Sequence, residues 1–170
     1  MPLVLLTGGA RSGKSRLAVK MATESGLPVT FIATATPTDD DMAARIARHR
    51  TDRPADWTLI EEPLDVARSL STVEAGACVV VDCLTLWISN LMLEERSQEQ
   101  IEELALSTAE VAARRSEPTI VVTNEVGSSL HSTNELGRRF VDTTGRVNQI
   151  WGDAADEAYL VVAGGRVRLC

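Results

Sequence analysis

Gly8-Gly9-Ala10-Arg11-Ser12-Gly13-Lys14-Ser15 follows directly on the apolar run Leu3 to Leu6 and leads into a stretch of helical character. This is the G-x-x-x-x-G-K-[ST] pattern, and each residue type in it has a physical reason. Gly8 and Gly13 reach backbone conformations that other residues adopt only with strain, so successive N–H groups can turn inward around an anion. Lys14 brings a point charge to the β- and γ-phosphates, and the Ser15 hydroxyl can ligate Mg²⁺. A helix starting at Lys14 directs its N-terminal dipole at the same place. The pattern arises by chance on the order of once per hundred chains of this length, and a strand before it with a helix after it makes chance rarer still. The expected ligand is a nucleoside triphosphate.

Outward from the loop, apolar runs of strand length alternate with segments of helical period, which predicts an α/β fold with helices packed on a mainly parallel sheet. Strands are expected over 3–7, 29–33, 57–60, 78–82, 119–123, 159–163 and 166–169, with Gly164-Gly165 as a two-residue hairpin turn joining the last two. Helices are expected over 14–25, 40–50, 63–71, 84–94, 98–115 and 134–155. In the fifth of these, Ile101, Leu104, Thr108 and Val111 form the inward stripe and the acidic positions a solvated face. No repeat, low-complexity tract or linker divides the 170 residues, so one phosphate-loop domain is expected over 1–170: a RecA-like, doubly wound sheet ending in an antiparallel hairpin.

Composition narrows the function classes. A formal net charge of −7 argues against sequence-independent nucleic-acid binding, which depends on Lys and Arg neutralising phosphates. No apolar run approaches the roughly 20 residues of a membrane-spanning helix, and no basic region precedes Leu3 as in a signal peptide. The three cysteines suit neither a disulfide framework nor a zinc site. A cytoplasmic protein is expected.

In doubly wound sheets ligands bind at the carboxyl ends of the strands, so the loops there carry the chemistry. After the second strand come Ala33-Thr34-Ala35 and then a helix-like stretch in which Arg45, Arg48, Arg50 and Arg53 crowd around His49, four arginines within nine residues. A solvated basic face is one reading. A histidine held against a phosphate chain is the other, its pKa lowered by the neighbouring cations so that one ring nitrogen stays unprotonated. Such an imidazole is a general base or a nucleophile, and spacing leaves the two open. The strand Cys78 to Asp82 ends in a carboxylate placed to hold Mg²⁺. Glu61, at the end of the third strand, suits a ribose or a base, or equally a helix N-terminal charge. A switch GTPase is not expected. Asp82-Cys83-Leu84-Thr85 lacks Asp-x-x-Gly, and Thr123-Asn124-Glu125-Val126-Gly127 departs from Asn-Lys-x-Asp. His131 lies in a Ser-rich loop that suits a structural or exposed residue.

Taken together, GGARSGKS, IATA, DDDMAARIARHRTDRPADW, EEP, VVVDCLTLWISNL, TNEVG, FVDTTGRVNQ and AADEAYLVVAGG resemble the bifunctional adenosylcobinamide kinase/adenosylcobinamide-phosphate guanylyltransferase family of cobalamin biosynthesis. The resemblance spans nearly the whole chain. It implies phosphorylation of the adenosylcobinamide hydroxyl with ATP or GTP, then transfer of GMP from GTP to adenosylcobinamide phosphate with release of pyrophosphate. It implies His49 as the guanylylated nucleophile, with Lys14 acting on the phosphates. It also implies nucleotide contacts at Gly8 to Ser15, at Ala33, Thr34 and Ala35, at Arg50, Thr51, Asp52 and Arg53, and at Glu61 and Asp82. Mg²⁺ is then expected on Ser15 and Asp82, and a homo-oligomer, typically a trimer, as the assembly. One stretch departs from the family pattern. Ser128-Ser129-Leu130-His131-Ser132-Thr133 replaces a Gly-Ile-Val-Pro-like segment, in a loop expected to meet the corrinoid or a neighbouring subunit. Two simpler readings stand beside this one: a small-molecule kinase without a covalent step, and a nucleotide-driven assembly module of RecA-like type.

Overall fold

The computed structural model describes residues 3–37, 53–128 and 133–170. The helix expected over 40–50, with His49, Arg50, Thr51 and Asp52, and the loop residues 129–132 with His131, lie outside the described residues.

The strands are β1 (Leu3–Thr7), β2 (Val29–Ala33), β3 (Thr58–Glu61), β4 (Cys78–Asp82), β5 (Thr119–Val122), β6 (Glu157–Val162) and β7 (Gly165–Arg168). The helices are α1 (Lys14–Glu24), α2 (Val66–Thr72), α3 (Leu84–Leu93), α4 (Gln98–Ala113) and α5 (Glu135–Ala154). One seven-stranded sheet runs in the order β3-β2-β4-β5-β1-β6-β7. All its pairings are parallel except the last, β6 with β7. β1, β4 and β5 are continuous apolar runs because both faces of the sheet are covered. Period-2 alternation splits their side chains between two cores. Val4, Leu6, Phe31, Val80, Ile120 and Val122 pack with Ala18 and Met21 of α1. Leu3, Leu5, Ile32, Val79, Val81 and Val121 pack under α2 to α5, around Trp87, Ile88, Ile101 and Trp151.

Three local expectations are corrected. The hairpin turn is Ala163-Gly164, because Val162 pairs with Gly165 and the two loop residues carry φ of 50° and 80°, the sign that a type I′ turn requires. α2 begins at Val66 behind the Asp65 N-cap instead of at residue 63, since tertiary partners take the Pro63 and Leu64 carbonyls. In α4 the buried face is Ile101, Ala105, Thr108, Ala109 and Ala112, and Leu104 lies at its margin, 37% exposed. The close approach of α5 favours alanine over leucine on that stripe.

Candidate active site

The phosphate loop leaves β1 through Gly8, whose φ is 147°, and enters α1 through Gly13, whose φ is 106°. A Cβ at Gly8 would lie 2.3 Å from the Val161 carbonyl oxygen, so only glycine fits there. Between them Arg11 takes a left-handed conformation, φ 56°, and its side chain is exposed. No side chain caps α1 and no acidic residue occupies its first turn. The positive end of the helix therefore faces the loop uncompensated, which is the physical requirement for an anion site.

Two distant segments hold this loop in shape. The Glu125 N–H donates to the Gly8 carbonyl at 3.0 Å, and the Gly164 N–H donates to the Ser12 carbonyl at 2.9 Å. The Lys14 side chain is buried, and its ammonium donates to the carbonyls of Gly8 (2.8 Å) and Gly9 (2.6 Å) and to Ser12 Oγ (3.3 Å). Lys14 thus sits inside the turn of the loop.

β4 delivers Asp82 to the same carboxyl edge, in register with Ala33 on one side and Val122 on the other. Among the described residues, no hydrogen bond or ion pair engages the Asp82 carboxylate or the Ser15 hydroxyl. The Asp82–Cys83 peptide is cis. Burial pushes the Cys83 thiol up to about 12, the Asp82 charge adds to the rise, and the Lys14 ammonium opposes it. Lys14, Asp82 and Cys83 therefore share one electrostatic neighbourhood. No group of three or more His, Cys, Asp and Glu able to hold a metal ion occurs among the described residues.

The remaining expected residues fall into distinct places. Thr34 is fully buried, and all its polar groups have protein partners. Its hydroxyl donates to the Cys83 carbonyl (2.7 Å) and accepts from the Cys83 N–H (2.9 Å). Its N–H donates to the Asp82 carbonyl (3.1 Å), and its own carbonyl accepts from Asn90 Nδ2 (2.8 Å). Thr34 thus clips the end of β2 to the end of β4. Ala33 accepts from the Glu62 N–H, and Ala35 is half-buried beside it. Arg53 lays its guanidinium over the Phe31 ring, 4.1 Å from the centroid, with Trp57 next to that ring. Glu61 is exposed at the end of the edge strand β3, four strand spacings from β1. At about 4.8 Å per spacing that is about 19 Å, a nucleotide's length away from the phosphate loop.

The polar frame behind the site is drawn from TNEVG, VVVDCLTLWISNL and FVDTTGRVNQ, segments that carry the family resemblance but whose mutual contacts the sequence does not show. β5 separates β1 from β4, and its exit is tied down by Thr85, Thr123 and Asn148. The Thr123 hydroxyl donates to Asn148 Oδ1 at 2.7 Å and lies 3.4 Å from Thr85 Oγ1. The Asn124 N–H donates to Thr85 Oγ1 (2.8 Å), and Asn148 Nδ2 donates to the Asn124 carbonyl (3.1 Å). Within its segment Asn148 is a polar amide in the middle of a helix, where asparagine is a poor helix former.

A glycine-bounded loop with an inward Lys14, a carboxylate two strands away at Asp82 and a polar frame behind both make up the site. The profile of the family described as "Cobinamide kinase / cobinamide phosphate guanyltransferase" matches residues 4–169. The chain belongs to that family. Among relatives of this family, the "Bifunctional adenosylcobalamin biosynthesis protein CobP" of Pseudomonas aeruginosa is 46% identical over 164 residues, covering 94% of this chain and 92% of that protein. The "Bifunctional adenosylcobalamin biosynthesis protein CobU" of Salmonella typhimurium is 38% identical, covering 98% and 99%. Solved structures similar to this cobinamide kinase / guanyltransferase family member include the RadB recombinase, with a TM-score of 0.53 and 16% identity over 93% of this chain and 73% of that one. A type III secretion system ATPase gives a TM-score of 0.58 at 8% identity, covering 94% and 50%. These likenesses show the phosphate-loop fold alone. No helix among the described residues is long and apolar enough to cross a membrane.

Proposed function

We propose that this enzyme phosphorylates adenosylcobinamide and then carries GMP from GTP to adenosylcobinamide phosphate on His49. The observation that carries the nucleotide chemistry is the uncapped N-terminus of α1 facing a loop whose Lys14 ammonium is already turned inward. In the first reaction, with ATP or GTP as donor, the substrate hydroxyl oxygen attacks the γ-phosphorus and releases its proton to solvent, while the bond to the β–γ bridging oxygen breaks and the nucleoside diphosphate leaves. The loop N–H groups and Lys14 stabilise the charge that develops.

In the second reaction an imidazole nitrogen of His49 attacks the α-phosphorus of GTP. The P–O bond to the leaving pyrophosphate breaks and the imidazole releases its proton. A phosphate oxygen of adenosylcobinamide phosphate then attacks the same phosphorus, the P–N bond breaks, and free imidazole is restored with adenosylcobinamide-GDP as product. Support for His49 comes from its arginine-rich surroundings in sequence and from the family resemblance of that segment. Mg²⁺, held by Ser15 and Asp82 together with phosphate oxygens, would neutralise phosphate charge in both steps. Arg50, Thr51, Asp52, Arg53 and Glu61 are proposed nucleotide contacts. The expected assembly is a homotrimer and the expected compartment is the cytoplasm.

Incubation with α-labelled GTP and Mg²⁺ tests this reading. Acid-labile, base-stable label on the protein that disappears in His49→Ala supports it. No label, or label that survives the substitution, overturns the covalent step and leaves a simple kinase.

A further inference from the structure

The β6–β7 hairpin carries a cationic face beside the phosphate loop. Tyr159 pairs with Arg168 and Val161 with Arg166, so these four side chains share one face of the hairpin. It is the face on which α1 lies, since Tyr159 packs against the core that holds Ala18 and Met21. The Arg166 guanidinium lies over the Tyr159 ring, 5.0 Å from its centroid. The ring is fixed in turn by its hydroxyl, which donates to the Glu157 carboxylate. Arg166 is thus a flat cation seated on an aromatic ring, at an exposed position.

The turn that precedes Arg166 meets the phosphate loop. The Gly164 N–H donates to the Ser12 carbonyl, and Arg16 lies at the same junction. Arg16 Nη2 would be 3.0 Å from a Cβ on Gly164 and 3.9 Å from one on Gly13. Arg16 is exposed in the first turn of α1, next to Ser15. Among the described residues, no carboxylate forms an ion pair with Arg16 or Arg166.

Outward from the loop the order is therefore backbone N–H groups, the Arg16 guanidinium, then the stack of Arg166 on Tyr159. A nucleotide presents its parts in the matching order: terminal phosphates, α-phosphate with ribose, base. The spacing also fits. β6 and β7 lie one and two strand spacings from β1, about 5 and 10 Å, within reach of a nucleoside whose phosphates occupy the loop. Glu61 stands on the opposite side, six spacings or about 29 Å from β7, so one nucleotide does not touch both.

We propose that the hairpin face beside the first turn of α1 is the nucleoside subsite for the phosphoryl donor, with the purine base stacked on the exposed side of the Arg166 guanidinium. The proposal rests on the reading of Gly8 to Ser15 as the triphosphate site. Guanidinium planes and aromatic rings are the usual stacking partners of bases, and a guanidinium already seated on a ring is ordered before the base arrives.

The test uses Arg166→Ala and Arg166→Lys in the full chain, at an exposed edge-strand position outside the core. Calorimetry gives the Kd for ATP and for inorganic tripolyphosphate, and phosphorylation of cobinamide from γ-labelled ATP gives both KM values. Kd and KM for ATP are expected to rise about 5- to 50-fold in both variants, the scale of one lost base stack. The Kd for tripolyphosphate, which has no base, and the KM for cobinamide should stay within about threefold. Unchanged ATP affinity overturns the proposal. An equal loss for tripolyphosphate overturns it as well, because that marks a general charge effect. A rise confined to the KM for cobinamide would place the corrinoid there instead. Wild-type ATP affinity in Arg166→Lys, which keeps the charge without the plane, also counts against it. Failure of the wild-type protein to bind either ATP or tripolyphosphate is the separate outcome that removes the underlying reading of the loop.

Discussion

The N–H of Gly164 donates to the carbonyl of Ser12 at 2.9 Å, so the turn of the carboxyl-terminal hairpin supports the phosphate loop. Gly13 and Gly164 meet so closely that a Cβ on Gly13 would lie 3.3 Å from the Gly164 Cα. The hairpin that ends the sheet is therefore part of the nucleotide site's foundation. Substituting Gly164 by Val places a β-branched residue at a φ of 80° and crowds Arg16. A stability loss of about 1–3 kcal/mol is expected, with a weaker Kd for GTP. Gly164→Asn, whose side chain tolerates left-handed backbone, should lose less of both. Equal GTP affinity in wild type and Gly164→Val, by calorimetry, would contradict the support.

Gly8 is more constrained. Gly8→Ala forces a Cβ to within 2.3 Å of a backbone oxygen that belongs to a ladder strand and cannot move cheaply. Displacement of either β6 or the loop follows, and nucleotide binding is expected to fall at least about tenfold with a loss of about 2–4 kcal/mol in stability. Titration of GTP by fluorescence and a urea melt measure the two together.

Lys14→Ala removes the charge inside the loop and three hydrogen bonds with it. Both the kinase and the guanylyl-transfer rates are expected to drop by about 100-fold or more, the scale for removing one transition-state donor. A loss confined to one reaction would show that the loop serves only that one.

Thr123→Val deletes the hydroxyl shared by Thr85 and Asn148 at nearly constant volume. The Asn148 carbonyl oxygen is left without its donor, and destabilisation of about 1–3 kcal/mol is expected. The double variant with Asn148→Leu should cost less than the sum of the two single variants, since the Thr123–Asn148 bond is lost only once, while the Asn124 carbonyl loses its Asn148 donor in both Asn148→Leu and the double. A thermal-melt double-mutant cycle decides this, and simple additivity would mean the network is not coupled.

The thiols supply a pH prediction. Burial raises both Cys78 and Cys83, Cys83 to about 12 from an ordinary 9.0, whereas Cys170 is exposed. The folded values lie above the unfolded ones, so this contribution to stability is complete below pH 9 and is lost as pH rises from about 9 towards 12. Native protein at pH 8 should release colour from Ellman's reagent for one thiol, and denatured protein for three. A prompt second thiol in the native state would show that Cys83 is accessible behind Asp82.

The chain's own sequence determined the loop Gly8 to Ser15, the buried strands and the antiparallel ending. Those features are written in local pattern: glycine spacing, runs apolar on both faces, and a glycine at a turn between two short strands. Tertiary structure alone decided which strand ends stand side by side, because sheet order follows from how crossovers pack and not from any one segment. Thr34 illustrates the difference. The family resemblance implies a nucleotide contact there; its hydrogen-bond partner Cys83 lies 49 residues on and is brought there by the β2–β4 pairing. Asn90 is the same case, since a lone amide in an apolar helix has no visible partner until Thr34 and Pro63 arrive. A hairpin turn was legible at the end of the sheet, though one residue off at Gly164-Gly165, and its grip on Ser12 required β6 to lie against β1. Hydrogen-bond partners that are far apart in the chain are chosen by packing, and local residue pattern carries no record of that choice.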